Sequence, residues 1–175
     1  MSENKLVLIT AVSWGWKTTL QNEMLERGWK RPINFTTRKP RSEREKDEYV
    51  FIDEKTFMTK FANGDFLEHT NFNGNYYWVS RCLPIGNVCI VLDPIGRAQV
   101  MEKMARAWVE VTTIYINIPP EVQQKRLEER GCSVNELRAR QKDYKWFDKT
   151  KFCIEVDWTE DVQLTADKIE YQLNI

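Results

Sequence analysis

Leu6-Val7-Leu8-Ile9-Thr10 is an uninterrupted apolar run of strand length. A strand that is apolar on both faces needs cover on both, as in a parallel sheet between helical layers. The pattern recurs along the chain. After a polar loop, a helix is predicted from about Thr18 to Arg27, with Leu20, Met24 and Leu25 at helical spacing. Val88 to Leu92 predicts a second buried strand, ending at Asp93, and a helix from Arg97 to about Ala107 follows. Thr112 to Ile118 is a third strand. Pro119-Pro120-Glu121 then opens a helix, since a first turn tolerates proline and its dipole favours an acid. Phe152 to Val156 and Val162 to Leu173 complete the series as a strand and a closing helix. Strands alternating with helices predict an α/β fold with a doubly wound parallel sheet.

The segment from about 34 to 80 breaks the rhythm. It is polar, basic and aromatic, with short strand-like pieces around Tyr49–Ile52 and Phe66–Asn71, and it reads as an insertion carrying a substrate site. Arg130 to Arg140 reads as a short mobile lid. The 175 residues suit one domain, with a core of about 1–33 and 81–175.

Lys+Arg and Asp+Glu number 26 each, so no overall charge draws the chain to nucleic acid or to a membrane surface. Its apolar runs are strand-length, and the segment around Lys5 does not resemble a signal peptide. Cys82, Cys89, Cys132 and Cys153 form no CxxC pair and read as reduced core residues, giving a cytoplasmic expectation. His69, the only histidine, has no metal-ligand spacing around it.

The loop after the first strand reads Ala11-Val12-Ser13-Trp14-Gly15-Trp16-Lys17-Thr18-Thr19. It has the position of a phosphate loop, G-x-x-x-x-G-K-[ST], between a strand and a helix. Such a loop turns backbone N–H groups onto ATP phosphates at a helix N-terminus. Lys17 would reach the β- and γ-phosphates, and Thr18 would ligate Mg²⁺. Both signature glycines are missing, replaced by Ala11 and Trp16.

Two clusters follow in the insertion. In Thr36-Thr37-Arg38-Lys39-Pro40-Arg41, followed by Tyr49, two arginines three apart can grip one phosphate through charge-assisted hydrogen bonds. A solvated basic loop has the same composition. Phe66-Leu67-Glu68 precedes Asn73-Gly74-Asn75-Tyr76-Tyr77. The Glu68 carboxylate could accept from the N1–H and amino group of guanine, a pattern adenine does not offer.

Taken in this order, these residues resemble guanylate kinase over nearly the whole chain. Asp93, Pro119-Pro120 and Arg126-Leu127-Glu128-Glu129-Arg130-Gly131 add to the likeness. The resemblance implies ATP and GMP as substrates, Mg²⁺ as cofactor, and a monomer or homodimer. It implies that Arg38, Arg41, Tyr49 and Tyr77 bind the GMP phosphate, with Asn34, Glu68 and Ser80 towards the base and Asp93 near the base or the Mg²⁺ shell. Arg130 and Arg140 would close over the transferring phosphate from the lid, joining Lys17 and Arg38 in catalysis. The chain departs from the pattern at Asn34, where a serine is usual, and at Val79, where a hydroxyl residue is usual beside Ser80. The loop before Tyr49 lacks its glycine, and Asp157 replaces an asparagine. Two alternatives stay open: a non-catalytic binding module that has lost its phosphate loop, and a kinase for another small phosphorylated substrate.

Seven of 175 residues are glycine, below the roughly 7% of average usage, and tryptophan also numbers seven. Trp14, Trp16 and Trp78 stand where the family has glycine. Trp29, Trp108, Trp146 and Trp158 fall at helix ends or turns, and none of the seven lies on a periodic apolar face. The expectation is that all seven are glycines encoded by UGA, one base from GGA, which some bacterial lineages read as glycine.

Overall fold

The computed structural model describes residues 4–11, 16–40, 42–72, 74–129, 131 and 153–174, the side chains of Trp16, Lys17, Arg44 and Phe72 excepted. Two sheets organise them. The larger contains β1 (Leu6–Ala11), β6 (Val88–Leu92), β7 (Val111–Asn117) and β8 (Ile154–Asp157) in the order β6-β1-β7-β8, all parallel. Every residue of β1 is buried, as its unbroken apolar run requires.

Each face of this sheet has its own core. Val7, Ile9, Ile114 and Ile116 pack with Leu20 and Met24 of α1 (Trp16–Glu26), Leu127 of α4 (Pro120–Glu129) and Ile169 of α5 (Val162–Gln172). Leu6, Leu8, Ile90 and Leu92 pack on the other face with Val100 and Met104 of α3 (Pro94–Arg106). Helices on both faces of a parallel sheet are the doubly wound arrangement.

The smaller sheet runs β3-β2-β5-β4, from β2 (Asn34–Thr36), β3 (Val50–Phe51), β4 (Phe66–Phe72) and β5 (Asn75–Ser80). β2 and β3 are parallel; β5 pairs antiparallel with both β2 and β4. A 3-10 turn (Glu43–Asp47) and α2 (Glu54–Ala62) lie within the same stretch. Leu67 and Val79 join the α3-side core, so the small sheet is anchored to the large one. Gln99 of α3 strengthens that anchor: the His69 N–H donates to its side-chain oxygen at 3.1 Å, and its amide donates to the His69 carbonyl at 2.9 Å.

Three expectations change. Trp78 is buried, stacked on Phe35 at 4.8 Å with ring planes 3° apart and against Phe57 and Phe66. Trp29 is buried too, and its indole N–H donates to Glu170 at 2.9 Å. Both serve the core through partners distant in sequence, which local periodicity does not reveal. Cys82 and Cys153 are exposed, so only Cys89 of the described cysteines is a core residue. Among the described residues, no helix is long and apolar enough to cross a membrane.

Trp108 behaves differently. It follows the C-terminus of α3 at φ 56°, and the Val109 N–H closes that end on the Met104 carbonyl at 3.1 Å. This is the left-handed position at which helices commonly end on glycine. The indole is 96% exposed and buries almost nothing in return.

Candidate active site

The parallel strands end together, and α1 and α3 leave β1 and β6 towards opposite faces. That divergence opens a crevice at the carboxyl ends of the strands. A cavity of about 290 Å³ lies there, lined by Thr18 of α1, Asn34 of β2, Tyr49, Glu68 of β4, Tyr77 of β5 and Asp93. Six sequence-predicted residues from six places in the chain therefore meet in one space. Gln21 and Thr70, not singled out by sequence, also line it. Thr70 follows from strand geometry, because residues two apart on β4 face the same side.

The remaining candidates are placed as follows. Ser80 does not line this cavity; its hydroxyl oxygen accepts from the Cys82 N–H at 3.2 Å, ordering the chain after β5. Ala11 is buried at the end of β1, and Thr19 is exposed on α1. Trp16 and Lys17 begin α1. Val12, Ser13, Trp14, Gly15, Arg41, Arg130 and Arg140 lie outside the described residues.

Glu68 is the chemically unusual group. It is a buried acid, and burial first, then the charge of Asp93, push its carboxyl up to about 8, with Lys103 opposing the shift. Asp93 is fixed by capping α3: its Oδ1 accepts from the Gly96 N–H at 2.7 Å. Gly96 has a second role. A Cβ there would lie 3.1 Å from Glu68 Oε2 and 3.3 Å from a Leu92 methyl, so a side chain would press on the carboxylate. Sequence reasoning passed over Gly96; its signal was a glycine in the first turn of a helix, where nothing in the helix asks for one.

The other end of the site is cationic. Arg38 Nη1 and Nη2 donate to the two oxygens of Glu45, both at 3.0 Å, and the Arg38 side chain is only 11% exposed. The guanidinium lies 5.9 Å from the Phe51 ring centre and is further influenced by Tyr77. Its Nε is buried with no hydrogen-bond partner among the described residues. A buried donor without an acceptor is costly and leaves bonding capacity for an incoming anion. Tyr49 meets the Tyr77 ring edge-on at 6.2 Å, and burial raises its phenol above the usual range.

An acceptor carboxylate at one end and an arginine-tyrosine cluster at the other suit a ligand with a donor-bearing base and a phosphate. Comparison with known proteins bears on the family. The guanylate kinase family model matches residues 2–173. The chain belongs to the guanylate kinase family. A guanylate kinase of Aromatoleum aromaticum is 32% identical over 146 residues, covering 77% of this chain and 69% of the relative. A guanylate kinase of Anaplasma phagocytophilum is 30% identical over 180 residues, covering 94% and 83%. In fold, the chain is similar to the crystal structure of guanylate kinase from Anaplasma phagocytophilum, with TM-score 0.73 and 24% identity over 98% of this chain and 85% of that one. A gluconokinase from Sinorhizobium meliloti shares the fold more distantly, with TM-score 0.51 and 12% identity over 97% and 95%.

Proposed function

We propose that this member of the guanylate kinase family transfers the γ-phosphoryl group of ATP to the 5′-phosphate of GMP or dGMP, releasing ADP and GDP or dGDP. The observation that carries the reading is the cavity shared by Glu68, Asp93, Asn34, Tyr49 and Tyr77 beside Thr18, the first described cavity-lining side chain after the phosphate loop. Glu68 accepts from guanine, Arg38, Arg41 and the two tyrosines hold the GMP phosphate, and Lys17 and Arg38 with Arg130 and Arg140 stabilise the transferring group. No protein nucleophile is needed, because positioning and charge stabilisation suffice for this chemistry.

Mg²⁺ fits the donors present. The exposed Thr18 hydroxyl and the Asp93 carboxylate are hard oxygens lining one cavity, as Mg²⁺ prefers. Bound there with ATP, it would neutralise phosphate charge. We place the enzyme in the cytoplasm, as a monomer or homodimer.

Glycine at Trp14, Trp16 and Trp108 in the natural protein is part of this proposal, through UGA codons read as glycine. The backbone of Trp108 supports it; the buried Trp29 and Trp78 do not, so the gene's codons decide each position. A coupled ADP-release assay with GMP, dGMP, AMP and ribose phosphates compares the chain carrying both tryptophans with Trp14→Gly/Trp16→Gly. The glycine form is expected to turn over GMP at least about a hundredfold faster, the scale of transition-state donors lost when phosphates cannot reach the loop. Equal rates would refute this account of the loop.

The raised Glu68 also gives GMP binding a pH signature. Guanine needs the ionised acceptor, whereas below about 8 the free protein holds the proton. Affinity for GMP is therefore expected to rise by up to about tenfold per pH unit from pH 6.5 towards 8 and then level off, above the phosphate's own ionisation near 6. Calorimetric titration should show proton release in that window; a flat profile contradicts the assignment.

A further inference from the structure

β4 has two faces, and only one looks into the crevice. Glu68 and Thr70 line the smaller cavity; His69 lines a larger one, of about 710 Å³, between α2, β4 and α3. One wall is aromatic: Phe61 meets the His69 ring edge-on at 5.1 Å, with Phe66 behind. The other wall is cationic, formed by Arg81, Lys103 and Arg106. None of its lining side chains among the described residues is acidic, in a chain whose charges balance overall.

The three cations keep capacity to bind. Arg81 is exposed, and its guanidinium has no partner among the described residues. Lys103 Nζ donates one hydrogen bond, to the Phe66 carbonyl at 2.8 Å, out of three donors. Arg106 pairs with Glu102 at 2.6 Å, but both side chains are mostly exposed, and such pairs on one helix face contribute little. Burial lowers the Lys103 amine; Glu68, whose side chain lines the other cavity, opposes that shift, Arg81 adds to it, and Glu102 offsets part of it. The volume and mixed lining fall in the range of small-molecule sites.

We propose that this cavity is a second ligand site, which takes a nucleoside diphosphate with its base against Phe61 and His69 and its phosphates on Arg81, Lys103 and Arg106. The site is separated from the crevice by β4, and the proposal does not rest on the phosphotransfer reading.

The only histidine of the chain lies inside the cavity, so its ring protons report occupancy without interference. In proton NMR of the untagged protein, ADP and UDP are each expected to move the His69 ring signals saturably below about 1 mM, while uridine leaves them in place. Arg81→Gln/Arg106→Gln removes two exposed cations without touching the core and is expected to weaken both ligands at least about tenfold. Lys17→Ala/Arg38→Gln, which removes a phosphate contact proposed for each nucleotide in the crevice, should leave the response intact. The proposal is overturned if neither diphosphate moves the signals, if uridine moves them equally, or if the double variant responds like the parent. Loss of the response in Lys17→Ala/Arg38→Gln would assign it to the crevice, which also overturns it.

Discussion

Glu68→Ala is expected to lower kcat/KM for GMP by about 10²–10⁴ while barely changing the slow turnover of AMP. The magnitude follows from two hydrogen bonds to a charged acceptor, each contributing about 1.5–3 kcal/mol, with each 1.4 kcal/mol equal to tenfold in rate. Burial enlarges the effect, because a base bound without Glu68 would leave its own donors unpaired in a dry site. Steady-state kinetics with GMP, dGMP and AMP on Glu68→Ala and Glu68→Gln is the test. A kinase for a ribose phosphate would keep its rate in both variants, so an unchanged kcat/KM for its best substrate would replace the guanine reading with that one.

Trp78→Gly and Trp108→Gly are expected to act in opposite directions. Trp78 fills the space among Phe35, Phe57 and Phe66. Removing a buried indole costs about 3–5 kcal/mol, and glycine within a strand adds roughly 0.5–1. That is a large share of a typical stability of about 5–15 kcal/mol. Trp108 instead holds a left-handed backbone with its ring in solvent, so glycine should stabilise by about 1 kcal/mol. Urea unfolding of the two variants reads both signs. Destabilisation by Trp108→Gly would remove the structural support for glycine there; stabilisation by Trp78→Gly would show that the aromatic cluster is strained around its indole.

The contrast also marks how far the sequence could be read. β1, β6 and β7 were legible because strands buried on both faces are written as unbroken apolar runs, and their helices follow from helical spacing. α2 was not, since it buries little beyond Phe57 and its remaining pattern is polar. β5 drew attention as a tyrosine motif, and its strand character comes from pairing with β2 and β4 on either side. The adjacency of β6 and β1, nearly eighty residues apart in the chain, is a tertiary choice that no local pattern contains. At the site, residue types singled out Glu68, Tyr49 and Tyr77, which the structure brings into one cavity, and Arg38, which pairs with Glu45. Gly96 and Glu45 were silent, because one acts by leaving space and the other by occupying a neighbour.

The two hydrogen bonds between Gln99 and His69 give the molecule a fulcrum. They fasten one rung of the outer strand of the small sheet to the helix that Asp93 begins. Glu68 is the next residue along from that rung, whereas Arg38 and Tyr49 belong to the opposite margin of the sheet. Any swing of the small sheet that keeps the rung must therefore carry Arg38 and Tyr49 through the longer arc. Glu68 stays close to the pivot, so a small rotation there becomes a large travel of the arginine.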